Sequence, residues 1–284
     1  MQVLAHGGAG EEPTAPRERQ GVLDEAVRTG LGETTPLDAV TATVRVLESD
    51  PRFNAGVGGT VQSDGIIRTD AGVMTDDRSV GAACSMAGVE HAVSVARVVL
   101  DETPHVLVSG EHAVSLAADF GVETDVDLWT DRTRERWDAL EDYPEGGPAD
   151  HLDWIRDRFG GHDTVGAVAR DGDLLAAATS TGGRWLALAG RVGDVPQVGS
   201  GFYAAPAGAA SATGAGEDIA RTTLSRRAVR HLEAGHDAAS AAELAIDEFA
   251  ELTGSSAGVI VVDADGGTGS AFNSEAMQTG LASD

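Results

Sequence analysis

The feature that most limits what this chain can fold into is the way its hairpins fall in blocks between runs of helical periodicity. Residues 164–170 (TVGAVAR), the turn Asp171-Gly172-Asp173 and residues 174–183 (LLAAATSTGG) read as two apolar strands joined by a tight hairpin. A second hairpin, turning at Ser63-Asp64-Gly65, lies within FNAGVGGTVQSDGIIRTDAGVMT, and a closing one pairs GVIVVDADGG with GSAFN. Apolar residues recur at helical spacing over roughly 16–30 and 36–49, over 91–120, and over about 217–234 and 236–252. Thr35 and Pro36 suit the cap and first position of the second helix, and Pro51 stops it. Hairpins and helices in separate blocks favour an α+β layer architecture over a doubly wound sheet. The start adds a short buried strand at residues 2–5, ending in the glycine-rich turn His6-Gly7-Gly8-Ala9-Gly10. From Gly121 to Asp163 the sequence is charge-dense, with Pro144, Gly146, Gly147 and Pro148 in its middle, and reads as a mobile linker.

Composition narrows the function. With 284 residues, 42% of them apolar, a sizeable core can be buried. The 46 acidic residues outnumber the 20 basic ones to give a formal charge of −26, which repels nucleic acid and anionic membrane. All the basic residues are Arg. Without Lys there is no P-loop, no Schiff base to pyridoxal phosphate, no kinase strand lysine and no SxxK hydrolase. An acidic, Lys-free surface resembles that of proteins from a salt-saturated cytoplasm, such as that of haloarchaea. Cys84 is the only cysteine, so an internal disulfide or a cysteine-based zinc site is excluded; flanked by Ala83 and Met86 it reads as a core thiol. No apolar run reaches the length of a membrane span and the first residues lack the pattern of a secretory signal, which together predict a cytoplasmic protein. HExxH and GxSxG are both missing.

Three threonine-bearing segments carry the chemistry. Thr164 opens an apolar strand directly behind the linker; alone it is an ordinary β-branched strand residue. Thr179 and Thr181 end the partner strand and can come beside it across the pair. Thr213-Gly214-Ala215-Gly216-Glu217 is a second glycine-rich turn placed before a helix, where free N–H groups can hold an oxyanion. Arg191 and Asp194 offer opposite charges on one turn, Gly190 to Pro196; alone they read as a surface ion pair, together with the threonines as a clamp for the carboxylate and ammonium of an amino acid.

HGGAG, FNAGVGG, HDTVGAVA, ATSTGG, GRVGDVP and TGAGE occur in the order and approximate spacing of the plant-type L-asparaginases. The chain resembles that family, which belongs with isoaspartyl aminopeptidases and glycosylasparaginases among the N-terminal nucleophile hydrolases. The resemblance covers most of the chain and weakens over 121–160. It implies a four-layer αββα sandwich, one structural domain, made from a precursor that cleaves itself between Asp163 and Thr164 into an α chain (1–163) and a β chain (164–284), assembled as a dimer of αβ heterodimers. By the same resemblance Thr164 is the nucleophile and its freed α-amine, with an unperturbed pKa of about 7.7–8.0, the base. Thr181 then orients the nucleophile, and the Thr213 hydroxyl and Gly214 N–H form the oxyanion hole. Arg191 binds the substrate α-carboxylate, Asp194 and the Gly216 carbonyl its ammonium, and Asn54 supports the nucleophile.

The implied reaction is hydrolysis of L-asparagine to L-aspartate and ammonia through a β-aspartyl ester, with β-aspartyl dipeptides or glycosylasparagine as alternative substrates. Neither a cofactor nor a catalytic metal is implied, although in the family a loop equivalent to Leu47–Val57 often holds a structural sodium by its carbonyls. A reading from another class, an uncleaved amino-acid-binding sensor, has no use for Thr164, Thr181 and Thr213 together. Two places depart from the family pattern: Asp163 stands where the asparaginase branch usually has Gly, and Arg184-Trp185-Leu186-Ala187-Leu188-Ala189 replaces a polar, lysine-containing stretch.

The charge generates a first prediction. Carboxylates at this density interact over the Debye length of about 10 Å at ~0.1 M salt but are largely screened at about 3 Å in molar salt. Helical circular dichroism and activity should therefore decline together as KCl is lowered from ~4 M to ~0.1 M; a protein equally folded and active at the low end would separate the acidity from any salt requirement.

Overall fold

The computed structural model describes residues 1–156, 158–161 and 163–284. Strand β1 (Gln2–Gly10) is followed by α1 (Pro16–Leu31) and α2 (Pro36–Glu48). As expected, Thr35 caps α2, its hydroxyl accepting from the Asp38 N–H at 3.2 Å. Strands β2 (Arg68–Thr75) and β3 (Val80–Ala87) precede α3 (Ala92–Glu102), the short β4 (Leu107–Ser109) and α4 (Gly110–Asp119). Helices α5 (Asp131–Asp138) and α6 (Pro148–Arg156) come next, then the hairpin of β5 (Val165–Asp171) and β6 (Leu174–Thr181). The chain closes with β7 (Phe202–Ala205), β8 (Gly208–Gly214), α7 (Gly216–Thr222), α8 (Leu224–Glu233), α9 (Ala238–Thr253), β9 (Ala257–Asp263), β10 (Thr268–Phe272) and β11 (Ala276–Ser283).

The architecture is α+β with two sheets. Seven strands run in the order β11-β1-β5-β6-β2-β3-β4, and four in the order β10-β9-β8-β7. Strand alternation divides the side chains of the larger sheet between two cores. On one face Val3, Ala5, Val165, Ala167, Ala176 and Ala178 pack with Leu23, Val40, Val44 and Val93 of α1, α2 and α3. On the other, Leu4, Val168, Leu175 and Ala177 meet Phe202, Ala210 and Ile260 of the smaller sheet, whose core continues to Val229 of α8 and Phe249 of α9. Small residues allow the close approach; alanine supplies much of both cores. Cys84 is buried, as expected, and burial beside Asp70 pushes its thiol up to about 12. Among the described residues no helix is long and apolar enough to cross a membrane.

Several elements differ from the sequence expectation. His6-Gly7-Gly8-Ala9-Gly10 is no turn: β1 continues through it beside β11, with the register shifting between His6 and Ala9. The Ser63-Asp64-Gly65 turn closes only an isolated bridge, Val61 with Ile67, and β2 pairs with β3 and β6 instead; Asp64 grips Arg68 at 2.8 Å across the turn. The helical run over 91–120 is two helices separated by β4, and that over 217–234 breaks at Thr223, whose φ is +53°. Strand β11 lacked a clear pattern of alternation and was not anticipated.

The segment expected to be a mobile linker carries α5, α6 and an aromatic cluster; Asp157 and His162, within it, lie outside the described residues. Tyr143 meets Trp137, His151 and Trp154 edge to face, each with ring centroids 5.4 Å apart. Arg136 stacks 4.0 Å over Trp185, and the Tyr143 hydroxyl donates to the Ser63 carbonyl at 2.8 Å. The apolar Trp185 and Leu186, which depart from the family pattern, are the floor of this cluster.

Phe202 is fully buried where the two sheets meet. Replacing it by Ala should lower stability by about 3–5 kcal/mol, read from urea unfolding in molar salt; a loss under about 1 kcal/mol would mean the sheets are not packed through this side chain.

Candidate active site

The β5–β6 hairpin sets the geometry. Its register pairs Val165 with Ser180, which places Thr164, just ahead of β5, beside Thr181 at the end of β6; both are buried. The carbonyl between Asp163 and Thr164 accepts two hydrogen bonds, from Asn54 Nδ2 at 2.8 Å and from Thr181 Oγ1 at 3.1 Å. The Gly183 N–H donates to Thr181 Oγ1 at 3.1 Å, so the Thr181 proton is directed to the Asp163 carbonyl. Asn54 is fixed in turn by the backbone around it. Its second Nδ2 bond goes to the Gly183 carbonyl at 2.6 Å, the Gly182 N–H donates to the Asn54 carbonyl at 2.9 Å, and the Thr60 N–H donates to the Gly182 carbonyl at 3.1 Å. Two donors on one carbonyl polarise it toward a nucleophile, and the hydroxyl of Thr164 belongs to the next residue.

The Asp163 side chain folds back onto β1. A Cβ at Gly8, where φ is +113°, would collide with the Asp163 carboxylate, so only glycine admits it. Arg19 Nη1 lies 3.9 Å from that carboxylate and its Nη2 donates to the Gly7 carbonyl at 2.5 Å. Burial pushes Asp163 up to about 6 against the pull of Arg19. One residue beyond Gly8, the Ala9 N–H donates to Thr213 Oγ1 at 3.3 Å. Thr213 and Gly214 therefore lie at the same end of the sheets as Thr164.

Arg191 and Asp194, read from the sequence as a clamp, meet at Gly216. A Cβ at Gly216 would lie 2.6 Å from Asp194 Oδ1 and 2.8 Å from Arg191 Nη2, so the turn brings Arg191, Asp194 and Gly216 together. Arg191 donates from Nε to Glu217 Oε1 at 2.8 Å; its Nη2 is equally near that oxygen but lacks hydrogen-bond geometry. Arg191 Nη2 and Asp194 Oδ2 are thus buried polar atoms of opposite character with no partner among the described residues. Burial pushes Asp194 up to about 7 in spite of Arg191. Burial would also raise Glu217, but the hydrogen bond from Arg191, with the charges of Arg191 and Arg184, holds it at about 2. Beside the turn is a cavity of about 530 Å³ bounded by Phe159, Arg184, Ala215, Glu217 and Ser255.

Other residues of the site carried no role in the sequence reading. Gln62 holds the clamp turn, its Oε1 accepting from the Gly190 N–H at 2.8 Å and its Nε2 donating to the Arg191 carbonyl at 3.1 Å. Asp70 pairs with Thr181 in the β2–β6 ladder and is pushed by burial up to about 6. His6 is kept neutral by burial, at about 3, with its Nε2 2.8 Å from Ser211 Oγ. Thr179 bonds Ser211 Oγ at 2.9 Å and donates to the Gly201 carbonyl at 2.9 Å, so it serves the contact between the sheets and not Thr164. For Glu217 and His6 the available signal was their place in the quoted TGAGE and HGGAG; Gln62 and Asp70 had none.

Among the described residues no group of three or more His, Cys, Asp and Glu side chains is placed to hold a metal. At the 47–57 loop a Cβ on Gly56 would meet two backbone oxygens, that of Glu48 within the loop and that of Glu90 outside it, hard donors of the type a cation such as sodium would take.

The sequence profile described as Asparaginase_2, asparaginase, matches residues 1–284. The chain belongs to this family. It is 38% identical over 290 residues to the plant-type L-asparaginase of Pyrococcus abyssi, covering 98% of this chain and 94% of that one. It is 41% identical over 290 residues to the plant-type L-asparaginase of Pyrobaculum calidifontis, covering 98% and 95%. The isoaspartyl peptidase/L-asparaginase of Danio rerio is 38% identical over 287 residues, covering 97% and 90%. These sources lend no support to the haloarchaeal reading, which rests on composition alone.

The raised Asp194 generates a prediction with a definite sign. A folded-state pKa of about 7, above the unfolded carboxylate value, means the empty protein loses stability as pH rises toward 7 and the carboxylate ionises unpaired. If a ligand's α-ammonium sits beside Asp194, as the family resemblance implies, it cancels that loss. The rise in Tm produced by saturating L-aspartate should therefore be larger above pH 7 than below it, and the difference should vanish in Asp194→Asn; a pH-independent shift in the unaltered protein would remove Asp194 from the ligand contacts.

Proposed function

We propose that this protein is a threonine amidohydrolase that matures by self-cleavage between Asp163 and Thr164 and hydrolyses the side-chain amide of L-asparagine. The observation that carries the reading is the Asp163 carbonyl held by Asn54 and Thr181 directly ahead of Thr164. In maturation Thr164 Oγ attacks that carbonyl carbon. The peptide C–N bond breaks as the ester forms, and the hydroxyl proton ends on the released α-amine. Water then hydrolyses the ester, leaving a carboxylate on Asp163 and restoring the hydroxyl.

In turnover the free α-amine of Thr164 takes the proton of its own hydroxyl as Oγ attacks the asparagine side-chain carbonyl. The Thr213 hydroxyl and the Gly214 N–H receive the developing oxyanion. Ammonia leaves with the proton, and water hydrolyses the β-aspartyl ester to aspartate. Arg191 Nη2 takes the substrate α-carboxylate, and Asp194 Oδ2 with the Gly216 carbonyl takes its ammonium. The unpartnered state of those two side-chain atoms supports this assignment. Asn54, released from the scissile carbonyl, supports the nucleophile. A sodium ion bound by the 47–57 carbonyls would stiffen the loop that carries Asn54. The two-sided packing of the larger sheet supports a four-layer αββα arrangement, and the family resemblance a dimer of αβ heterodimers in the cytoplasm. The name of the Danio rerio relative, isoaspartyl peptidase/L-asparaginase, keeps β-aspartyl dipeptides as a second substrate class for the same site.

Purified protein incubated in molar salt with L-asparagine should release ammonia, and denaturing mass spectrometry should show two fragments, the smaller beginning Thr-Val-Gly-Ala. Thr164→Ala should give one intact chain with no turnover. The same two fragments from that variant would show that another group cuts the chain.

A further inference from the structure

Residues 186–191, which lead into Arg191, form neither helix nor strand, so their backbone groups must find partners elsewhere. Residues 61–63 supply them. The Val61 carbonyl accepts from the Leu186 N–H at 2.8 Å, the Ser63 N–H donates to the Ala187 carbonyl at 2.8 Å, and Ser63 Oγ accepts from the Ala189 N–H at 3.0 Å. At Gly190 and Arg191 the partner is a single side chain, since Gln62 takes the N–H of the first and the carbonyl of the second. Gln62 is buried, and its own backbone is closed into the turn by bonds with Gly65 and Ile66, both at 3.0 Å. Arg68 fixes which way the amide faces. Its Nη1 donates to Gln62 Oε1 at 2.8 Å and to Asp64 Oδ1 at 3.0 Å, while Nη2 donates to Asp64 Oδ2 at 2.8 Å. With both lone pairs of Oε1 taken by donors, a reversed amide would set its NH2 against the Gly190 N–H and its oxygen against the Arg191 carbonyl.

We propose that Gln62 is a positioning residue for substrate binding: through the main chain of Arg191 it sets where the Arg191 guanidinium stands, and Arg68, locked to Asp64, fixes the face that the Gln62 amide presents. The proposal rests on the reading of Arg191 as the group that takes the substrate α-carboxylate. A side chain with as many rotatable bonds as arginine is placed only when both of its ends are held. Glu217 holds the guanidinium, 2.8 Å from Nε, and Gln62 holds the main chain at the other end. Freed at that end, Nη2, the buried atom without a partner, loses its fixed place. The donors on the Asp163 carbonyl have other supports, because Asn54 and Thr181 are tied to Gly182 and Gly183. Loss of Gln62 therefore weakens substrate binding and leaves self-cleavage intact.

The test uses the mature protein in molar salt, with L-aspartate binding followed by calorimetry and asparagine hydrolysis by ammonia release. Gln62→Met keeps the length of the side chain and loses both bonds to the Arg191 turn, whereas Gln62→Glu keeps the acceptor but sets an oxygen against the Arg191 carbonyl. Both variants should mature at the rate of the unaltered chain. Both should raise the Kd of L-aspartate and the KM of asparagine about tenfold with kcat changed by less than about twofold, the pattern of lost binding and not of lost chemistry. Arg68→Met leaves Gln62 in place but frees its amide to turn, so Kd and KM should rise about threefold; this variant carries the test if the Gln62 variants do not fold. An unchanged Kd and KM in the variants that fold would overturn the proposal, as would slowed maturation or a loss confined to kcat, either of which would put Gln62 behind Thr164 instead of Arg191. Unaltered protein that binds L-aspartate without releasing ammonia from asparagine would strike the proposed activity alone, and the Kd comparison would still decide the role of Gln62. If it binds no L-aspartate, Arg191 does not hold a carboxylate and the proposal falls with it.

Discussion

The two hydrogen bonds on the Asp163 carbonyl are the constraint around which the rest is arranged. A carbonyl in an extended chain ahead of a strand has no helical or ladder partner of its own, and here it takes one donor from the Asn54 loop and one from β6. Both donors are themselves committed. The Gly183 N–H leaves Thr181 one direction for its proton, and the Asn54 amide is pinned between Asp163 and Gly183 carbonyls. Such preorganisation means that little has to move when charge develops on the oxygen. It also explains why a loop over a hundred residues earlier in the chain is tied by backbone hydrogen bonds to the end of the hairpin.

Acidity plays opposite roles at the surface and in the site. The excess of carboxylates on this chain is mostly solvated, where charge costs little beyond mutual repulsion. Asp70, Asp163 and Asp194 are different, because burial raises all three toward neutrality around two arginines. Clusters of carboxyls displaced in that way are a mark of sites that bind or transfer charge. Glu217 completes the set as the carboxylate held ionised, and it keeps Arg184 and Arg191 from repelling each other across the turn.

How much could be read in advance followed from how local each signal was. The β5–β6 hairpin, the α2 cap and the positions of Thr164 and Thr181 are fixed by neighbouring residues, and the structure has them where the sequence put them; Thr213 and Gly214, read as part of a turn, instead end β8 against β9. The glycines of HGGAG looked like a turn because local propensity cannot show that β11, far away in the chain, pairs with them. Gln62 and Asp70 were silent for a similar reason: a single buried polar residue acquires its role only from the segments folded against it. The aromatic residues of 121–160 were hidden by the charges around them, since no periodic stripe marks a cluster whose partners are Ser63 and Trp185.

Arg191 and Asp194 each bury one polar atom that makes no hydrogen bond among the described residues. Arg191 already leans on Glu217 and burial holds Asp194 near neutrality, so on the proposed reading a zwitterion would complete both ends at once. A compound whose amine is acylated or whose carboxylate is esterified does more than forgo a contact. On the proposed reading it would leave one of these buried polar atoms without a partner, and that cost, more than any missing attraction, would turn it away. Under the proposed function, the site would select a free α-amino acid by the penalty attached to everything else.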